Sequence, residues 1–145
     1  MGRLVTFVLS AAFLTACGVT DPGNRAGPYV LNAVDGSDLP HLVASTSLCD
    51  ELVPRGTLNL DRDGSFLLQV AQVHDCSRGG ATVDSFTTTI TGAFTLAGAQ
   101  LALHPAGTGV HYDGTVSSGA LEVHLPPLPL VGSADHVGTF IKFPL

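Results

Sequence analysis

Apolar residues recur at every second position through most of this chain, and short turns rich in glycine and aspartate separate the runs. One such unit covers residues 57–60 and 65–73, with the turn Asp-Arg-Asp-Gly at 61–64 between them. A period of two places successive side chains on opposite faces of a strand, whereas a helix requires a period near 3.6. The pattern therefore predicts an all-β fold made of consecutive antiparallel hairpins.

Eight or nine strands are predicted within residues 28–145. Their predicted positions are 29–33, 39–45, 57–60, 65–73, 82–96, 100–104, 110–116, 120–125 and 137–143. Their unequal spacing argues against a solenoid or propeller, which needs a fixed period. The antiparallel meander is predicted to form a closed or nearly closed barrel of about eight strands, with a sandwich as the second choice. Closure removes exposed edges, and the last strand is expected to pair with the first one at Tyr29.

The first 17 residues have the pattern of an export signal. Arg3 gives a positive start, residues 4–13 are apolar or small, and Cys17 follows shortly afterwards. An apolar run of about ten residues has the length of a signal-peptide core and is about half of what a membrane-spanning helix needs. Leu14, Ala16 and Cys17 resemble the bacterial lipobox Leu-x-Ala/Gly-Cys. This resemblance implies cleavage before Cys17 and attachment of a diacylglyceryl group to its sulfur.

Three segments follow from this interpretation: a lipoprotein signal peptide (1–16), a lipidated Cys17 with a flexible tether (17–27) and a single domain (28–145). Two acyl chains anchor a protein durably to a membrane, so the domain is predicted to be tethered rather than membrane-spanning. Gly18 after the cysteine, by resemblance to Gram-negative lipoproteins, implies the outer membrane facing the periplasm if the host is Gram-negative.

Charge and cysteine content narrow the function classes. Twelve acidic residues against six basic ones give a formal net charge of −6, which disfavours nucleic acid as a partner. In an oxidising compartment, Cys49 and Cys76 are predicted to form one disulfide. A redox or metal-binding pair is the alternative, which the lack of a Cys-x-x-Cys spacing makes less favoured. No cofactor is predicted.

The last hairpins place ionisable residues together on the outer face. Strand parity turns Leu101, Leu103, Val110, Tyr112, Val116, Leu121, Val123 and Leu125 inward, and it turns His104, His111, Asp113, Glu122 and His124 outward. A turn at 117–118 would set His111 opposite His124, and a turn at 118–119 would set Asp113 there instead. The candidate metal ligands are His104, His111, Asp113 and His124. They could bind zinc or form a pH-sensitive patch, and the alternative is an ordinary solvated face.

The start of the domain carries a second resemblance. Its pattern is Tyr29-x-Leu31-x-x-Val34-x-Gly36-x-x-Leu39-Pro40. Followed by glycine-rich hairpins, it is similar to lipocalin-like barrel domains of uncharacterised bacterial lipoproteins.

We predict a non-catalytic binding module for a small apolar ligand. The candidate lining residues are Phe66, Leu68, Val70, Phe86, Phe94, Leu103, Tyr112 and Leu121. The same side chains would simply form the core if the barrel is filled.

Two other functions stay open. The protein could be a structural or assembly lipoprotein that presents residues 126–130 to an envelope protein. Less favoured is a metal-dependent hydrolase that uses the outward histidines and Asp113. Enzymatic activity is not predicted, because the chain has no Gly-x-Ser-x-Gly nucleophile motif.

Overall fold

The computed structural model describes residues 24–127 and 135–143, which form one antiparallel sheet of ten strands. The strands are β1 (Gly27–Val34), β2 (Ser37–Asp38), β3 (His41–Ser45), β4 (Asp50–Leu60), β5 (Ser65–Asp75), β6 (Val83–Ala97), β7 (Gln100–Pro105), β8 (Tyr112–Val116), β9 (Ala120–His124) and β10 (Val137–Lys142). A short 3-10 turn, Ser77–Gly79, follows β5. Within the described residues, no helix is long and apolar enough to cross a membrane.

Eight of these strands close into a barrel because β1 has a partner on each side. Tyr29 pairs with Lys142 of β10 and also with Leu58 of β4. The remaining barrel strands pair in chain order from β4 to β10. This confirms both the predicted barrel and the predicted pairing of the last strand with the first. Two further strands pair with the parts of β1 and β4 that do not pair with each other. The end of β1 pairs with β2, and the start of β4 pairs with β3.

The barrel interior is filled by the apolar side chains that alternate along its strands. Its largest fully buried side chain is Phe140 of β10, which pairs with Leu31 of β1 and Leu121 of β9. Complete burial of one such side chain contributes about 1.5–3 kcal/mol to folding. The core cluster comprises Tyr29, Leu31, Val34, Val53, Leu58, Leu60, Phe66, Leu68, Val70, Phe94, Leu101, Leu103, Val116, Leu121, Val123, Leu125 and Phe140. The predicted inward parity is therefore confirmed for most of the last hairpins.

The structure differs from the sequence-based expectation in two places, the start of one strand and the position of Val110. The strand expected at 57–60 is the second half of β4, which begins seven residues earlier at Asp50. Pro54 lies where the β4–β5 register shifts, between Leu52 and Arg55, a position at which a strand tolerates proline. In addition, β8 begins at Tyr112, and Val110, which was expected to face the core, is 57% exposed in the preceding connection.

Up-and-down topology sorts the connections into two sets, one at each end of the barrel. At one end β1, β5, β7 and β9 finish, and β4, β6, β8 and β10 begin. All six histidines of the chain lie at this end, which we call the histidine end: His41, His74, His104, His111, His124 and His136. The opposite end carries the start of β1 at Gly27, with Lys142 Nζ donating to the Asn24 carbonyl at 3.0 Å. The histidines therefore lie at the end of the barrel opposite the start of β1.

Several predictions concern residues outside the described ranges. These are the signal peptide (1–16), Cys17 and the tether up to residue 23. The proposed contact segment 126–130 is described only at Pro126, which is buried, and Pro127, which is exposed.

Candidate functional site

Three residues of the outer-face cluster predicted from parity, His111, Asp113 and His124, line a cleft at the histidine end. The β8–β9 turn lies at Ser118-Gly119, because Ser117 donates its N–H to the Ala120 carbonyl at 2.9 Å and Gly119 has φ +90°. The strand register, with Gly114 opposite Val123, extends to Asp113 opposite His124, so it is the second of the two registers considered above. His104, His111, Asp113, Glu122 and His124 are all exposed, as predicted.

The cleft has a volume of about 480 Å³ and combines apolar with ionisable side chains. It is lined by Val110, His111, Tyr112, Asp113, His124, Leu125, Pro127 and Asp135. Each histidine faces a carboxylate: His111 Nε2 is 3.7 Å from Asp113 Oδ2, and His124 Nδ1 is 3.0 Å from Asp135 Oδ1. The site therefore has two acidic groups beside imidazole rings, together with apolar side chains in the same lining.

The predicted metal ligands do not form a compact cluster. His104 and His111 have ring centroids 6.1 Å apart, and His104 Nε2 is 3.4 Å from Thr95 Oγ1. In the described part of the chain, one group of three candidate ligands has all its ligand atoms within 4.8 Å of one another: Cys49, His74 and Cys76. Zinc lies about 2 Å from its ligand atoms, so His104, His111, Asp113 and His124 would have to move closer together to bind it. A zinc site at these residues stays a prediction.

A second ionisable group joins β10 to the turn after β1. Asp35 and Gly36 both have positive φ, as a two-residue hairpin turn requires, and aspartate tolerates that conformation better than most residues. The Asp35 carboxylate accepts a hydrogen bond from the Val137 N–H at 2.8 Å and contacts His136 Nδ1 at 2.6 Å. His41 Nε2 lies 3.8 Å from the same carboxylate. His136 is 8% exposed, and its Nε2 has no hydrogen-bond partner among the described residues.

These contacts determine the ionisation of Asp35. Burial acts to raise the pKa of its carboxyl group. The hydrogen bonds from His136 and Val137, together with the electrostatic influence of His136 and His41, outweigh that effect and lower the pKa of Asp35 below its usual value. The carboxylate therefore stays ionised and holds the start of β10 against the β1–β2 turn.

The third group surrounds the disulfide. Cys49 and Cys76 are bonded, which confirms the predicted pairing. His74 Nε2 lies 2.8 Å from Cys76 Sγ, and His74 Nδ1 contacts the carboxylate of Glu51. Glu51 and Cys76 are buried, at 9% and 8% exposed, and His74 is half-buried. This places a carboxylate, an imidazole and a sulfur in consecutive contact at the barrel mouth.

Most of the predicted ligand-lining residues belong to the core. Six of the eight pack together in the central cluster: Phe66, Leu68, Val70, Phe94, Leu103 and Leu121. The other two are half-buried and line surface clefts, Tyr112 the 480 Å³ cleft and Phe86 another of about 320 Å³. The structure thus supports the filled-barrel alternative for these six side chains, because their surfaces are taken up by contacts with one another.

Sequence reasoning missed six residues of these groups: Asp35, His41, Glu51, His74, Asp135 and His136. Glu51 carried a usable signal, since it lies two residues after Cys49, as His74 lies two residues before Cys76. A disulfide between antiparallel neighbours places those two positions opposite each other. Asp35 and His136 carried none, because 101 positions separate them in the chain.

Comparisons with protein families, with curated proteins and with solved structures find no match for this chain. Inferences about function therefore depend on the geometry of its own residues.

Proposed function

We propose that this protein is a lipid-anchored, non-catalytic binding module of the cell envelope that binds a small ligand at its histidine end. The observation that carries the proposal is the 480 Å³ cleft, which combines apolar side chains with two carboxylates and whose volume lies within the range of about 300–1,000 Å³ found for small-molecule sites. The filled core supports a surface cleft rather than the barrel interior as the binding site.

The lining of the cleft defines the class of ligand. Val110, Tyr112 and Pro127 offer apolar surface, and Asp113 and Asp135 offer negative charge. A small molecule with an apolar body and a cationic group fits both features, because burial of the body supplies affinity and pairing with a carboxylate supplies orientation. This narrows the apolar ligand expected from the sequence to an amphipathic one.

The position of the cleft suits attachment to a membrane. Gly27 begins β1 at the end opposite to the histidines, so a tether from Cys17 would leave the barrel on that side. The cleft would then face away from the lipid surface, where a diffusing ligand can reach it.

The lipid anchor is tested by Cys17→Ser. We expect the wild-type protein to fractionate with membranes and to incorporate labelled fatty acid, and the variant to lose both properties, because the acyl chains supply the binding to lipid. Cys49→Ser, which changes a cysteine inside the domain, is the control and should still be acylated. Equal membrane association of Cys17→Ser and wild type would contradict the anchor.

The cleft is tested with a fluorescent arylammonium dye, since the chain contains no tryptophan to interfere with the signal. Full-length protein in detergent should bind the dye saturably, and Val110→Ser should weaken binding about threefold to tenfold through lost apolar contact. The matched control is Val83→Ser. Val83 is 55% exposed, close to the 57% of Val110, but it lies outside the cleft.

A neutral aryl dye of the same size tests the electrostatic part. Asp113→Asn should weaken binding of the cationic dye and leave the neutral dye unaffected. Absence of saturable binding, or an equal loss in Val83→Ser, would reject the cleft as the binding site.

A further inference from the structure

The Cys49–Cys76 disulfide lies at the histidine end, where β4 begins and β5 ends. Asp50 pairs with Asp75 and Glu51 pairs with His74, so the two cysteines continue the same antiparallel register. The strands thereby bring His74 Nε2 to 2.8 Å from Cys76 Sγ, with Glu51 against the other ring nitrogen. A structural crosslink requires neither of these contacts.

The arrangement can move a proton to Cys76. A carboxylate and a disulfide sulfur are both acceptors, so a ring that carries a proton on each nitrogen donates one hydrogen bond to Glu51 and one to the sulfur. Glu51 is 9% exposed, and its buried carboxylate fixes the orientation of the His74 ring. In thiol–disulfide exchange, the bond breaks faster when the departing sulfur is stabilised as it leaves.

We propose that Cys49–Cys76 is a redox-active disulfide that exchanges with an external dithiol, with His74 as the general acid for Cys76. Cys49 is the half-buried partner and the more accessible one, whereas Cys76 is buried. The attacking thiolate forms a bond to Cys49 Sγ, and the Cys49–Cys76 bond breaks. Its electron pair passes to Cys76 Sγ, which takes the Nε2 proton of His74.

The second thiol of the dithiol completes the reaction. It loses its proton to solvent and attacks the reagent sulfur of the mixed disulfide, which releases Cys49 as a thiolate that solvent protonates. The dithiol is oxidised to a disulfide, and the protein disulfide is reduced by two electrons. His74 regains its proton from solvent. Glu51 is a positioning residue, because it contacts the ring and not the sulfur.

Contacts that do not involve the disulfide hold the two segments together. Arg78, two residues after Cys76, donates to the Thr46 carbonyl at 3.2 Å and forms an ion pair with Asp50 beside Cys49. The pairing of Asp50 with Asp75 adds to this connection. The two thiols therefore remain adjacent after reduction and can be oxidised again. This proposal is independent of the ligand-binding cleft and of the lipid anchor.

The first test is the rate at which dithiothreitol reduces the full-length protein, followed by alkylation and mass measurement. We expect His74→Gln to slow reduction by about tenfold or more, because glutamine can donate a hydrogen bond to the sulfur but no proton. The control is His104→Gln, at the same end of the barrel but in contact with Thr95, and it should react like wild type. Equal rates for wild type and His74→Gln would overturn the proposal.

The second test asks which cysteine accepts a monothiol. Glutathione is added and the mixed disulfide is trapped by acid and located by peptide mass spectrometry. In wild type we expect glutathione mainly on Cys49, with Cys76 as the leaving sulfur. Glu51→Gln and His74→Gln should reduce this preference. The thermal midpoint of each oxidised variant should stay near that of wild type. A purely structural role for His74 would not change the site of attachment. Glutathione mainly on Cys76 of the wild-type protein would contradict the assigned direction.

Discussion

Replacement of Gly92 by alanine should destabilise the barrel by about 3 kcal/mol or more. A Cβ at this position of β6 would lie 2.0 Å from the His104 carbonyl oxygen and 2.8 Å from the Cα of Pro105. Both atoms belong to the backbone of β7, so the clash cannot be relieved by a side-chain rotation. The β6–β7 pairing must separate locally, and the cost appears in the midpoint of urea or thermal unfolding.

Gly109→Ala is the matched control for this substitution. A Cβ at Gly109 meets no atom within 4 Å, and the residue does not have the positive φ that would strain alanine. We expect its free energy of unfolding to stay within about 0.5 kcal/mol of wild type. If the two variants are equally stable, β7 does not pass this close to Gly92.

Phe140→Ala should cost about 3–5 kcal/mol, the range found for removing a buried phenylalanine. Phe140 has no exposed surface and lies between β1 and β9, so truncation leaves a cavity in the centre of the barrel. Ile141→Ala is the control, because Ile141 is the next residue on the opposite face and is 45% exposed. Its loss should cost about 1 kcal/mol or less, measured by the same unfolding titration.

The cavity also provides a test of where ligands bind. Apolar cavities in protein cores remain dry and can take up benzene. Benzene should therefore recover part of the stability lost in Phe140→Ala and leave the wild-type midpoint unchanged. If benzene stabilises wild type to the same extent, the barrel interior is open to ligands, and the surface cleft is not needed to explain binding.

Alternation was enough to predict the barrel because the core imposes it on each strand. From β5 to β10 the inward positions are mostly apolar, and glycine marks the turns, as at Gly64 and Gly119 with φ of +86° and +90°. Closure followed from the same argument, since an unpaired last strand would have exposed an edge. These features depend on local sequence and can therefore be predicted from it.

The first half of β4 could not be predicted in this way. It contains Asp50, Pro54 and Arg55, which break the apolar alternation, and a shift in register accommodates the proline. Glu51 takes an inward position there because His74 supplies a partner for its carboxylate. Contacts between distant residues therefore outweigh the local sequence pattern in this part of β4, where Glu51 contacts His74.

The residues of the candidate sites also differ in whether the local sequence pattern predicted them. His111, Asp113 and His124 were predicted together because neighbouring strands carry them at positions that parity relates. His104 was predicted as a fourth member, but it contacts Thr95 and stays outside the cleft lining. Asp135 and His136 precede β10 in a connection without alternation, so nothing in the sequence assigned them to a partner.

The double pairing of β1 has a consequence for how the protein is made. Tyr29 is synthesised near the start of the domain, yet one of its two strand partners, Lys142, is synthesised near the end. The barrel cannot close before the C-terminal strand is available, and such distant pairing makes folding slow. A nascent or truncated chain that stops before Val137 leaves both β1 and β9 with an open edge. The barrel strands synthesised earlier therefore keep unpaired edges, which are prone to aggregation, until β10 has been added.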